Sequence, residues 1–200
     1  MNPFIGKPAP DFEAKVVMPD NSIVADFNLK KYLKGHKGIL FFYPLDFTFV
    51  CPSEIIAFNN RLGEFSTRNT KVIGVSVDSH FSHHAWKAMP VNKGGIGNIQ
   101  FPLVSDLKKS ISTAYNVLNE DGVSYRATFL IDEGFNIRHF LVNDLPLGRN
   151  VDETLRMIDA LKFFQEHGEV CPAGWSKGKK GMKADASGVA EYLANNANNL

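Results

Sequence analysis

The densest apolar run in the chain is Ile39-Leu40-Phe41-Phe42-Tyr43. A run without polar alternation predicts a strand buried on both faces. A second such run, Val72 to Val77, is closed by Asp78-Ser79. Between them Ile55, Ile56, Phe58, Asn59, Leu62 and Phe65 recur at a spacing near 3.6, which predicts an amphipathic helix from about Pro52 to about Ser66. After the second strand, Ser79 or Ser82 is placed to cap a helix running through Ala88. Strand–helix–strand–helix order predicts a parallel core with right-handed crossovers.

The flanking segments add to that core. Residues 1–12 are proline-rich and predicted to be extended, with Asp11-Phe12 entering the fold. Val16-Val17 and Ile23–Phe27 flank the turn signal P-D-N-S and read as a hairpin. Asn28–Leu33 reads as one helical turn closed by Gly35. Residues 90–98 form a loop containing Gly94-Gly95-Ile96-Gly97, and Ser105-Asp106 is expected to cap a short helix to Tyr115. Arg126–Ile131 and Ile137–Val142 are strands joined by D-E-G-F-N, with Gly134 at the turn. Asn150 or Asp152 caps a long helix carrying Val151, Leu155, Ile158, Leu161 and Phe164 on one face and ending near Gly168. From Gly168 the chain turns to Gly, Lys, Ala and Asn, the composition of an arm, with Asp185–Tyr192 helical. The expected organisation is a domain over residues 1–167 and a C-terminal arm over 168–200.

Two hundred residues suffice for one domain with a sizeable core. Basic and acidic residues nearly cancel, to a formal +1, without a long run of one sign. Nucleic acid and acidic membranes are therefore not expected partners. The residues after Met1 lack a basic leader followed by an apolar stretch, and the longest apolar run is too short to cross a bilayer. A cytoplasmic location is the expectation. Two cysteines in such a chain point to redox chemistry rather than a structural staple. His80, His83 and His84 lack partners at zinc-ligand spacing, so no metal is expected, and His83 and His84 read as a helix face without chemistry.

Cys51 carries the sharpest chemical signal. It follows the first buried strand and precedes Pro52, Ser53 and Glu54, a helix start. Unpaired N–H groups and the helix dipole at such a position favour a thiolate, the nucleophilic form. A small buried cysteine behind a strand is the plainer alternative. Thr48 could hold an oxygen by a hydrogen bond or simply cap a strand end. Arg126 opens a strand, and could reach the same sheet edge or form a surface pair.

P-L-D-F-T-F-V-C, Pro44 to Cys51, resembles the Pro-x-x-x-Thr-x-x-Cys signature of peroxiredoxins. H-G-E-V-C-P-A-G-W, His167 to Trp175, resembles the resolving-cysteine segment of the typical two-cysteine subgroup. D-S-H-F-S-H-H-A-W, G-G-I-G, F-P-L-V-S-D and N-D-L-P-L-G-R-N-V-D-E-T-L-R follow that subgroup in order, and the likeness spans about Gly6 to Tyr192. The resemblance implies an α/β thioredoxin-like fold with a central mixed sheet flanked by helices, an N-terminal extension and a C-terminal arm. It implies a peroxidase acting on hydrogen peroxide and small alkyl hydroperoxides. Cys51 would be the peroxidatic nucleophile, Cys171 the resolving thiol, and Pro44, Thr48 and Arg126 the pocket. Glu54 and Arg149 match residues that surround that pocket.

The same resemblance implies an inter-subunit Cys51–Cys171 disulfide and a homodimer able to form a decamer. It implies recycling by thioredoxin or a dedicated flavoprotein reductase, with no metal, haem or flavin in the chain itself. Condensation of the two sulfurs would require the first turn at Cys51 to unwind and the arm to be released, because bridged Cα atoms stand only about 4.4–6.8 Å apart. Gly94–Gly97 and Tyr192-Leu193 resemble the loop and tail that slow this switch in peroxide-sensitive members, with Ile96 and Leu193 departing from the pattern. Intermediate sensitivity to overoxidation is the expectation. Trp86 and Trp175 read as packing residues. A holdase-type chaperone is the alternative from another class. A thiol–disulfide oxidoreductase is disfavoured because Cys51-Pro52-Ser53-Glu54 lacks a second cysteine.

Overall fold

The structure is a computed structural model and describes residues 4–199. The chain divides into two compact units, with the boundary between Val151 and Asp152.

The first unit is built on a seven-stranded mixed sheet in the order β2-β1-β5-β4-β3-β6-β7. Its strands are β1 (Glu13–Val17), β2 (Ile23–Asn28), β3 (Lys37–Phe42), β4 (Thr70–Ser76), β5 (Leu103–Ser105), β6 (Arg126–Ile131) and β7 (Ile137–Asn143). β3 is the centre: it pairs parallel with β4 and antiparallel with β6. All six of its residues are buried, as its unbroken apolar run predicts. Alternate side chains then point to opposite faces. Leu40 and Phe42 join one cluster with Phe129, Ile137 and Tyr115. Phe41 stacks on Phe58 from the other side, at 4.5 Å between ring centroids. This is the central mixed sheet flanked by helices that the resemblance implied.

The predicted helix over 52–66 is two helices, α2 (Cys51–Asn60) and α3 (Leu62–Ser66). Arg61 between them has φ −104° and ψ 7°, off the helical value. Asn59-Asn60 and Gly63 are weak helix formers, so they tolerate a break that lets Phe58 and Phe65 both enter the core. The short strand β5 falls after the loop at 90–98 in a stretch to which the sequence assigned no element, because three residues leave no period to detect. The following helix starts at Ser110 rather than at Ser105-Asp106. Asp106 nonetheless caps it from a distance, accepting from the Ile111 and Ser112 N–H groups at 3.0 and 2.7 Å. In the β6–β7 turn the left-handed position is Phe135 (φ 65°), not Gly134. Of the two candidate caps, Ser79 caps the helix His80–Ala88; Asn28, read as part of the next helical turn, is instead the cap of Leu29–Leu33.

The second unit holds most of the long helix Val151–His167, the segment after it, and the helix Ala186–Asn196 capped by Asp185. Val170 and Met182 exchange two backbone hydrogen bonds of 2.9 and 3.0 Å. They close the intervening segment into a loop that carries Cys171 and Trp175.

Candidate active site

Strand direction brings the predicted residues together. β3 runs towards Pro44 and the loop to Cys51, while β6 runs antiparallel beside it and therefore begins at that same edge. Arg126, the first residue of β6, stands there. β7 ends at that edge too, since Asn143 pairs with Arg126, so the loop carrying Leu145 and Arg149 follows.

Cys51 is the first residue of α2, with Pro52 behind it. The Ser53 and Glu54 N–H groups turn back to the Val50 carbonyl at 3.1 and 3.3 Å. The sulfur has two neighbours of the predicted kind: the Thr48 Oγ1 at 3.0 Å and the Arg126 Nη1 at 3.4 Å. The Thr48 hydroxyl has one hydrogen for two acceptors, the Leu45 carbonyl at 2.8 Å and the sulfur at 3.0 Å. Cys51 is fully buried, Pro44 is buried, and Thr48 is only half-buried.

A buried ion cluster lies beneath. Glu54 Oε2 accepts from Arg126 Nη1 at 2.7 Å and from Arg149 Nη2 at 2.8 Å. Its Oε1 accepts from the Arg149 backbone N–H at 3.0 Å and Nε at 2.8 Å. Arg149 Nη1 also donates to the Phe42 and Ala127 carbonyls, at 2.7 and 2.8 Å, tying the ends of β3 and β6 together. Arg126 Nε donates to the Leu145 carbonyl at 2.6 Å. Every charged side chain here is at most 5 % exposed. Two guanidinium groups against one carboxylate leave one uncompensated positive charge beside the sulfur. In a low-dielectric site that favours an anion there.

In the second unit, Cys171 is half-buried and its Sγ lies 3.4 Å from the Ala160 carbonyl. Burial pushes its thiol up, and the Arg156 guanidinium opposes that. Arg156 also donates to the Trp175 carbonyl at 2.7 Å, and the Trp175 indole sits 5.0 Å from the Phe163 ring.

Residues 5–140 match the AhpC/TSA family, and residues 160–195 match the C-terminal domain of 1-Cys peroxiredoxin. The chain is 56 % identical to alkyl hydroperoxide reductase C of Helicobacter pylori over 193 residues, covering 96 % of this chain and 98 % of that one. It is 53 % identical to peroxiredoxin-1 of Gallus gallus, covering 96 % of each. Among solved structures, the reduced 2-Cys peroxiredoxin of Plasmodium vivax aligns with a TM-score of 0.94 at 52 % identity, over 96 % of this chain and all of that one.

The chain belongs to the AhpC/TSA family, the peroxiredoxins. It is a thiol peroxidase, as the motifs implied.

The structure gathers Pro44, Thr48, Cys51, Glu54, Arg126 and Arg149 at one sheet edge, and Cys171 belongs to the second unit. Among the described residues no helix is long and apolar enough to cross a membrane, and no group of three or more His, Cys, Asp or Glu is placed to hold a metal. Gly95 holds a tight position in the loop at 94–97: a Cβ there would lie 2.0 Å from the Met89 carbonyl oxygen.

One group escaped the sequence reading. His83 and His84, expected to share a helix face, part company: His84 is exposed and His83 is fully buried. His83 Nδ1 lies 2.8 Å from Asp46 Oδ2, and Nε2 lies 3.2 Å from the Val104 carbonyl. Tyr43 donates to Asp46 Oδ1 at 2.9 Å, and the Asp46 N–H donates to Asp78 Oδ2 at 2.8 Å. Burial raises the Asp78 carboxyl, the Asp46 charge adds to that, and a Ser76 hydrogen bond opposes it. Period counting placed His83 on the helix; only the partner acid five residues before Cys51 could have hinted at its role.

Proposed function

We propose that this peroxiredoxin reduces hydrogen peroxide and small alkyl hydroperoxides at Cys51, with Cys171 as the resolving thiol. The observation that carries the reading is the Cys51 sulfur held between the Thr48 hydroxyl and the Arg126 guanidinium over a buried cluster with net positive charge. The Cys51 thiolate attacks one peroxide oxygen and the O–O bond breaks. The sulfur is oxidised to sulfenic acid, and the departing oxygen leaves as water or alcohol after taking up a proton. Thr48 accepts a hydrogen bond from the peroxide, Arg126 donates to the oxygen on which charge grows, and Pro44 screens the sulfur from water. Glu54 and Arg149 hold Arg126 in place.

In the second step the Cys171 thiolate attacks the sulfenic sulfur, water leaves, and a disulfide forms. It joins two subunits of a homodimer, which assembles further to a decamer. Thioredoxin or a dedicated flavoprotein reductase returns both thiols, in the cytoplasm, and the chain needs no metal, haem or flavin of its own. Residues 168–200 act as the arm, and the first turn of α2 unwinds to admit it. The departures at Ile96 and Leu193 give intermediate sensitivity to overoxidation.

After one equivalent of hydrogen peroxide, non-reducing electrophoresis is expected to show a covalent dimer for the wild type and none for Cys51→Ser or Cys171→Ser. Complete thiol loss with a monomeric band would place the disulfide within one chain. Peroxide turnover by Cys51→Ser would remove the reading altogether.

The resolving step is expected to depend on pH. Cys171 is raised by burial, so at neutral pH its thiol holds its proton, and the nucleophilic form grows as pH rises. The disulfide-forming step, followed by Trp fluorescence in stopped flow, is expected to accelerate through and beyond the ordinary cysteine range near about pH 8.5. A resolving step that is flat with pH would show that Cys171 deprotonation does not limit it.

A further inference from the structure

In the buried pair His83–Asp46, Asp46 lies on the loop that carries Thr48 and His83 on the helix His80–Ala88, and the hydrogen-bond pattern fixes the pair's proton count. Val104 O accepts only, so Nε2 carries a hydrogen. Nδ1 faces the Asp46 carboxylate at 2.8 Å, and the other carboxylate oxygen is already occupied by the Tyr43 hydroxyl. One proton therefore lies in the Nδ1···Oδ2 contact, and placed on Nδ1 it makes the pair an imidazolium beside an ionised Asp46. The pair is sealed, with side-chain exposures of 0 % and 1 %. A charge pair held this far from water has to be compensated by geometry, and removing one partner is costly.

Its position gives it a task. Asp46 is anchored from three directions: by His83 on the helix His80–Ala88, by Tyr43 beyond the end of β3, and through its own N–H by Asp78 beyond the end of β4. The preceding residue, Leu45, presents the carbonyl that accepts the Thr48 hydroxyl hydrogen. That carbonyl competes with the Cys51 sulfur, 3.0 Å from the hydroxyl, for the single Thr48 hydrogen; with the hydrogen on the carbonyl, a Thr48 lone pair is open to an incoming peroxide. The chain of contacts runs from His83 through Asp46 and the Leu45 carbonyl to Thr48 and the reacting sulfur.

We propose that the His83–Asp46 ion pair is a positioning device for peroxide reduction, holding the Leu45 carbonyl so that Thr48 accepts from, rather than donates to, the incoming peroxide. This rests on the peroxidase reading of Cys51 and extends it to two residues that touch neither sulfur nor substrate. The pair does not change the charge beside the sulfur. It governs how the oxygen is received.

The test compares two reactions of Cys51 in the full-length reduced protein. In Asp46→Asn and His83→Gln, the rate constant with hydrogen peroxide should fall by about 10- to 100-fold, the scale of a misplaced contact near the reacting atoms. Alkylation by iodoacetamide, which needs no peroxide oxygen held at Thr48, should be unchanged. In a Thr48→Val background, Asp46→Asn should cost nothing further, because both changes remove one function. Tyr43→Phe, which keeps the buried ring, should show the same split at smaller size and serves if the other variants unfold. Nitrogen-15 NMR of the wild type should find both His83 ring nitrogens protonated. Equal losses in both reactions, full additivity with Thr48→Val, wild-type peroxide rates in the variants, or a neutral His83 ring would each overturn the positioning role. Loss of peroxide reactivity in the wild type itself would instead strike the reading of Cys51.

Discussion

Arg126→Ala is expected to slow peroxide reduction by about 10²–10³-fold, the cost of removing one donor aimed at developing charge. The guanidinium lies 3.4 Å from the sulfur on a side chain that is 5 % exposed. Its removal takes away both a donor to the departing oxygen and one of the two positive charges that set the balance of the site. The fold should persist, because Glu54 keeps three hydrogen bonds from Arg149. Arg126→Lys should recover little: a single ammonium cannot reach the Leu145 carbonyl, Glu54 and the sulfur in the fixed fork that a guanidinium provides. The comparison is made by stopped flow at one equivalent of peroxide, with circular dichroism to confirm folding. Near-normal rates in Arg126→Ala would take the residue out of the mechanism.

Glu54→Ala should act on stability as well as on rate. The carboxylate accepts four hydrogen bonds from two buried arginines, at 2.7 to 3.0 Å. Deleting it leaves two like charges together without a counter-ion, away from water. Breaking a buried ion pair in that way costs about 3–5 kcal/mol. For a slope of about 2 kcal/mol per molar urea, the midpoint of unfolding should fall by roughly 2 M. Glu54→Gln keeps the volume and some acceptor capacity, so its loss should be smaller. An unchanged urea midpoint for Glu54→Ala would mean that the arginines find other partners, and that the cluster holds the sheet edge less firmly than its distances suggest.

The contrast between those two variants reflects how the site is made. Arg149 belongs to it through the backbone carbonyls of β3 and β6 as much as through Glu54, and its guanidinium also lies 5.1 Å from the Phe41 ring. It is at once a strut of the sheet edge and a support for Arg126. By sequence it carried only a likeness to the family, since nothing local to Leu147-Gly148-Arg149-Asn150 marks it.

Much of the rest was legible along the chain. The apolar runs marked β3 and β4, a serine cap marked the start of the helix His80–Ala88, and Pro52-Ser53-Glu54 after Cys51 marked the thiol at a helix N-terminus. Those signals are local: burial, capping and the first helical turn are decided within a few residues, so composition and period report them. The short strand β5, the break at Arg61 and the late start of the helix after Asp106 escaped for the opposite reason. Each is set by what the segment packs against. The same division holds at the sulfur. Sequence alone offered Cys51 as a candidate nucleophile with Thr48 nearby, but left Arg126 between a surface pair and the site. The antiparallel run of β6 beside β3 decided that, because strand direction alone determines which end of one strand meets which end of another. His83 shows the limit most clearly: a histidine's neighbours three and four places along a helix say where it faces, whereas only the folded chain supplies the aspartate and the carbonyl that claim both of its nitrogens.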